Sequence, residues 1–121
     1  MQIKESAENY LETILMISLK KDVVRSVDIA NELNFKKPSV SIAMKNLREN
    51  GFIHMDSSNY ITLTEKGREI AETIYERHRM LSEWLIQLGV DSTIATADAC
   101  RIEHVISPES FAAIKAHVKK G

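Results

Sequence analysis

The spacing of apolar residues changes twice along this chain, and the places where it changes leave few folds open. Up to Asn50 apolar residues recur at helical intervals. Between Phe52 and Leu63 they fall into two short runs split by turn formers, and from Thr64 the helical interval returns. In the first segment Ala7, Tyr10, Leu11, Ile14, Leu15 and Ile17 predict an amphipathic helix from Ile3 to Lys20. Ser26 is placed to cap a short second helix carrying Val27, Ile29, Ala30 and Leu33, which Asn34 ends. Pro38 suits a first helical position. The third helix then runs to Asn50 with Val40, Ala43, Met44 and Leu47 inward, and Gly51 supplies a left-handed stop. Two short helices across a tight turn make a helix-turn-helix. Phe52, Ile53 and Met55, then Tyr60, Ile61 and Leu63, predict two strands around the Asp56 to Asn59 turn, which is the wing of a winged helix.

Thr64 is placed to cap a long helix through Leu88, with Ile70, Ala71, Ile74, His78, Leu81 and Leu85 on one stripe. Gly89 ends it. Asp91 or Ser92 caps the next helix, which carries Ile94, Ala95, Ala99, Ile102 and Val105. Ser107 and Pro108 open a last helix bearing Phe111, Ile114 and Val118. Trp84, Leu85, Leu88 and the apolar residues after them exceed what short helices bury among themselves, so a symmetric dimer interface is expected there. Paired helix-turn-helix units match a two-fold DNA site.

Composition excludes several classes of function. The single Cys forbids an internal disulfide and, with no signal peptide at the N-terminus, points to the cytoplasm. No apolar run approaches the ~20 residues that span a bilayer, so no membrane partner is expected. A net charge of -1 means that any nucleic-acid contact must come from a local positive patch. The presumed recognition helix offers one. Ser39, Ser41, Lys45 and Arg48 lie away from its core face, with Lys36, Lys37 and Pro38 at its start; Ser26 opens the preceding helix and Asn59 sits in the wing turn. Short hydroxyls and backbone amides at a helix N-terminus suit phosphate oxygens, while Lys and Arg add salt-sensitive attraction. No Arg, Asn or Gln faces outward in the first turn as a bidentate base reader. Ile42 occupies that place and suits a thymine methyl, leaving readout to apolar contact and DNA shape.

The segment Asp98 to Ser107, DACRIEHVIS, carries the remaining chemistry. On one short helix Cys100, Glu103 and His104 would share a face, because positions three and four apart are neighbours; thiolate, carboxylate and imidazole then converge as a metal site. The same residues also fit a small buried Cys beside a solvated Glu-His pair. His54 in the wing and His117 in the tail read as solvated surface residues. The chain carries no HExxH or other catalytic pattern, so a hydrolytic metalloenzyme is disfavoured and the protein is read as a non-enzyme.

The order of helix, helix-turn-helix, wing, long helix with ERHRMLSEWL, then DACRIEHVIS resembles the diphtheria-toxin-repressor and manganese-transport-regulator family of metal-dependent repressors, from SAENYLETI to HVISPES. The resemblance implies a mostly α fold: residues 1–63 a winged helix-turn-helix DNA-binding domain, residues 64–121 a helical metal-binding and dimerisation domain. It implies a homodimer that binds double-stranded operator DNA when loaded with iron(II) or manganese(II), as a repressor of metal-uptake genes. It also implies metal ligands at Asn9, Glu12, His78, Cys100, Glu103 and His104, with the ion tying the first helix to the dimer core. The chain departs from both branches of the family. Manganese-type members carry Asp where Asn9 stands and Glu where Cys100 stands; iron-type members share the Cys but carry Met at the Asn9 position, an acid at Ser82 and a His at Thr96. The pattern is a hybrid, which implies that one of two sites is incomplete. A thiolate ligand favours iron(II), cobalt, nickel or zinc, while added oxygens draw the site towards harder ions. The competing reading is a metal-independent winged-helix regulator that answers to a small organic ligand or a partner protein.

Overall fold

A computed structural model of the chain describes residues 5–120. In chain order the elements are α1 (Glu5–Ser18), α2 (Ser26–Leu33), α3 (Lys37–Glu49), β1 (Ile53–Met55), β2 (Ile61–Leu63), α4 (Glu65–Gln87), α5 (Ser92–Ile102) and α6 (Pro108–Lys120). The expected start of the first helix at Ile3 lies outside the described residues. The chain forms two compact units, one ending at Glu72 and the other beginning at Thr73, so α4 contributes residues to each.

In the first unit α1, α2 and α3 enclose a core of Leu11, Ile14, Leu15, Ile17, Ile29, Ala30, Val40, Met44 and Leu47. Each large aliphatic side chain removed from water there contributes ~1.5–3 kcal/mol. Val27, expected in the α2 stripe, is instead exposed, while Ile29 and Ala30 are buried and Leu33 partly so. The turn between α2 and α3 is made by Asn34 in the left-handed conformation, φ 57°. Gly51, φ 80°, does the same after α3, where the Phe52 amide donates to the Leu47 carbonyl. Strands β1 and β2 then pair antiparallel, Ile53 opposite Leu63 and Met55 opposite Ile61. The wing is sewn to the helices by a further bridge, in which the Ile61 amide donates to the Val24 carbonyl at 2.7 Å. At its tip the Asp56 carboxylate accepts the Ser58 and Tyr60 amides, and Asn59 takes φ 63°.

Two helix starts differ from expectation. Ser26 does not cap α2; it is the first helical residue, and Arg25 is the cap. The reason is Asp28, whose carboxylate accepts the Arg25 amide at 2.9 Å and a Lys21 ammonium proton at 3.1 Å, a stronger acceptor than a serine hydroxyl. Pro38 is the second residue of α3, after Lys37. A proline is accommodated equally well there, since the first four amides of a helix have no intrahelical partner. Burial raises the affinity of the Asp28 carboxyl for its proton, but the Arg25 amide, the Lys21 hydrogen bond and the charges of Lys21 and Arg25 outweigh it and hold the carboxyl below its ordinary range.

Thr64 and Gly67 join wing to long helix. The Thr64 hydroxyl donates to the Gly51 carbonyl at 2.7 Å and accepts the Gly67 amide at 3.1 Å, capping α4. Gly67 lies so close to the Phe52 main chain that a Cβ there would fall 2.0 Å from the Phe52 carbonyl oxygen. In the second unit Leu81, Ala99 and Phe111 form a buried centre, with Met80, Trp84, Ile102, Ile106 and Ile114 packed around it. Gly89 (φ 102°) follows α4, Asp91 caps α5 by accepting the Thr93 amide, and the Ser107 hydroxyl accepts the Ser110 amide ahead of α6. Ile94 and Val105, expected inward, are 57% and 75% exposed in the single chain: Ala95 and Ala99 supply the inner face of α5, and Val105 lies past its end in the turn before α6.

Two outcomes are expected. Gly67→Ala lowers stability by ~1–3 kcal/mol, the usual range for overpacking, read from the urea midpoint; an unchanged midpoint would contradict the close approach to Phe52. Asp28→Asn costs ~0.5–2 kcal/mol at neutral pH. Because the folded carboxyl binds its proton more weakly than the unfolded one, its contribution is present above the ordinary carboxylate range and fades as pH falls through it. Melting curves of wild type and variant therefore converge in acid, and a pH-independent gap would refute the assignment.

Candidate metal centre

The second unit brings two imidazoles and a thiol to one carboxylate. Glu103 is completely buried. Its Oε2 lies 2.9 Å from His78 Nδ1, a hydrogen bond when that nitrogen carries the proton. Its Oε1 lies 3.4 Å from His104 Nε2 and receives no hydrogen bond among the described residues. A ring nitrogen of His78, the Cys100 sulfur and a Glu103 oxygen fall within 4.8 Å of one another. Cys100 is exposed, so this cluster runs from solvent to the interior.

Local structure explains the convergence. His78 follows Ile74 and precedes Leu81 on the inner stripe of α4, which carries its ring to the core. Cys100 and Glu103 are three residues apart at the end of α5, and the Glu103 amide still donates to the Ala99 carbonyl at 3.0 Å. The expectation of a single helix carrying Cys100, Glu103 and His104 is corrected here: α5 stops at Ile102, and His104 sits in the turn that follows. The chain reverses there because Val105 and Ile106 both donate to the Ile102 carbonyl, ahead of the α6 start at Pro108. His78 therefore meets one oxygen of Glu103 and His104 approaches the other.

Asn9 and Glu12 belong to the first unit, one turn apart on α1. Asn9 is half-buried and its main-chain carbonyl accepts the Thr13 hydroxyl at 2.8 Å, while Glu12 is buried. Ser82, which stands where iron-type members carry an acid, turns its hydroxyl back to the His78 carbonyl at 2.7 Å; Thr96 is exposed on α5. Neither supplies a carboxylate or imidazole. His54 and His117 are exposed. Sequence reasoning missed Arg77, whose Nη1 donates to the carbonyls of Glu103 and Ile106. An arginine within the apolar stripe of Ile74 and Leu81 was the available signal.

The donor set fits a divalent cation. A carboxylate fully withdrawn from water is strongly unfavourable unless paired and hydrogen-bonded, and one oxygen of Glu103 receives no hydrogen bond among the described residues. Imidazole, carboxylate and thiolate together suit iron(II), cobalt(II) or zinc(II), and imidazole with carboxylate also accepts manganese(II).

In the first unit the outward face of α3 carries Ser39, Ser41, Ile42, Lys45 and Arg48, all exposed, with Lys36 and Lys37 exposed at its start beside Pro38. Ile42 is 63% exposed, too open for a core role. Ser26 is half-buried at the start of α2, and Asn59 is exposed in the wing turn.

A winged helix-turn-helix joined to a helical unit rich in metal donors defines a metal-dependent transcriptional regulator. The chain belongs to the iron dependent repressor family: residues 2–59 match its N-terminal DNA binding domain, and residues 64–120 its metal binding and dimerisation domain. It is 33% identical to an HTH-type transcriptional regulator of Methanocaldococcus jannaschii over 98% of this chain and 96% of that protein. It is 32% identical to the transcriptional regulator MntR of Salmonella typhimurium, over 97% of this chain and 74% of that one. Among solved structures, a manganese-dependent transcriptional repressor in complex with manganese superposes with a TM-score of 0.84 at 28% identity, covering 93% of this chain and 52% of the other. The chain thus spans about half the length of that structure. No described helix is long and apolar enough to cross a membrane.

Cys100→Ser is expected to weaken binding of cobalt(II) or zinc(II) more than that of manganese(II), because only the thiolate distinguishes soft from hard ions. Competition titrations with a chromogenic chelator measure the ratio, and an equal loss for all three would contradict a sulfur ligand.

Proposed function

We propose that this protein is a homodimeric repressor of metal-uptake genes that binds operator DNA when loaded with iron(II) or manganese(II). Residues 1–63 serve as the DNA-binding domain and residues 64–121 as the metal-binding and dimerisation domain, acting in the cytoplasm, where the lone thiol stays reduced. The observation that carries the reading is the buried Glu103 carboxylate with imidazoles on two sides and a thiol within reach. His78, Cys100, Glu103 and His104 would hold the ion in the second unit; Asn9 and Glu12 on α1 are further ligand candidates that the family resemblance implies. When bound, the ion supplies positive charge that the carboxylates and thiolate lack.

The surface of α3 supports the DNA reading. Lys36, Lys37, Lys45 and Arg48 suit phosphates, Ser39 and Ser41 suit phosphates or base edges, and Ile42 suits a thymine methyl. Ser26 and Asn59 flank that surface as further backbone contacts. Ile86, Leu88, Ile94 and Val105 leave apolar area exposed on the single chain, as a dimerising surface requires.

Regulation requires the ion to favour the DNA-competent arrangement. The usual coupling of ~1–3 kcal/mol corresponds to roughly 5–150-fold in operator affinity. Electrophoretic shift of operator DNA under anaerobic conditions should show that gain on adding manganese(II) or iron(II), with affinity falling steeply as salt rises. Equal affinities with and without metal would leave the metal-independent regulator as the surviving account.

A further inference from the structure

Arg77 stands immediately before His78 on α4, and the two residues grip opposite ends of Glu103. His78 Nδ1 meets the Glu103 carboxylate at 2.9 Å, while Arg77 Nη1 donates to the Glu103 main-chain carbonyl at 3.2 Å. The same Nη1 donates to the Ile106 carbonyl at 3.2 Å, and the guanidinium carbon lies 5.7 Å from the Phe111 ring centre. One side chain thus spans the turn that carries Glu103 and His104 and the first turn of α6 beyond it. The carbonyls at a helix C-terminus have no intrahelical partner and sit at the negative end of the helix dipole, so a guanidinium both satisfies and attracts them. A planar fork fixes the direction of what it binds, which a lysine ammonium does not.

The Arg77 guanidinium has no lone pair to offer a metal; what it controls, through the carbonyls of Glu103 and Ile106, is where the main chain of residues 103–106 lies. Outer-shell groups of this kind hold ligands in productive orientation, and removing one typically costs ~10–100-fold in metal affinity. We propose that Arg77 is a positioning residue of the metal centre, pinning the α5–α6 turn so that Glu103 and His104 are presented together to the ion. The proposal rests on the metal reading above and adds to it the element that preorganises the ligands.

The test uses Arg77→Met and Arg77→Lys in the whole chain, with cobalt(II) as a spectroscopic probe and manganese(II) in calorimetry. Ile114→Ala serves as the control, since it loosens the same core from α6 and removes no hydrogen bond to the turn. Arg77→Met should bind manganese(II) ~10–100-fold more weakly, and its cobalt(II) spectrum at saturation should shift in position and intensity. Arg77→Lys should recover part of the affinity, which keeps the test open if the Met variant fails to fold. Ile114→Ala should lower the melting temperature and leave the saturated spectrum in place. Wild-type affinity and spectrum in both Arg77 variants, while wild type binds metal, would overturn the positioning role alone. Failure of the wild-type chain to bind either ion would overturn this proposal together with the metal reading.

Discussion

The interior of the second unit is organised around a charge that the fold cannot leave alone. Glu103 is withdrawn from water completely, where a carboxylate without compensation is strongly unfavourable. The surrounding sequence supplies part of that compensation. His78 meets one oxygen, His104 approaches the other, and Arg77 takes up the main-chain carbonyl of the same residue. Replacement of a whole buried polar cluster by well-packed apolar residues is commonly neutral or stabilising, so the presence of this one argues for binding rather than packing. An ion at this carboxylate would do what the protein donors leave undone.

The first unit solves a different problem, that of presenting one helix rigidly. α3 is fixed on its inner side by Val40, Met44 and Leu47, and at its ends by Asn34 and Gly51 in left-handed conformations. The wing is tied to the Val24 main chain through Ile61, and Thr64 joins the end of α3 to the start of α4 by bonding both the Gly51 carbonyl and the Gly67 amide. These are main-chain constraints, and they leave the outer side chains of α3 unengaged by the core. That division of labour lets sequence on the outer face vary with the DNA to be read while the scaffold stays fixed. Ile42, exposed among Ser39, Ser41 and Lys45, marks the place where apolar contact substitutes for a hydrogen-bonding reader.

Much of this was legible in the sequence, because its signals are local. The two changes of period located wing and helices, and Asn34, Gly51, Thr64, Gly89, Asp91 and Ser107 each bound or capped an element as their backbone or hydrogen-bonding chemistry suggests. What was not legible depends on competition between groups. Ser26 lost the capping role to Asp28 because a carboxylate three residues into the helix is the better acceptor for the Arg25 amide. His104 left the α5 helix because the chain turns at Ile102 and its carbonyls find Arg77, a residue far away in sequence. Helical spacing alone groups Cys100, Glu103 and His104; tertiary structure adds His78 and sets Glu103 between the others. Ile94 followed the helical interval yet faces outward, since alanines supply the inner face of α5, and Val105 is exposed because the helix has already ended at Ile102.

The central claim, that the interior acid of the second unit exists to hold a divalent ion, is tested most directly by calorimetric titration of the wild-type chain and Glu103→Gln with manganese(II) and iron(II) under anaerobic conditions. The account predicts saturable uptake by wild type and loss of measurable uptake in the glutamine variant. Uptake of neither ion by the wild-type chain, or undiminished uptake by the variant, would contradict it.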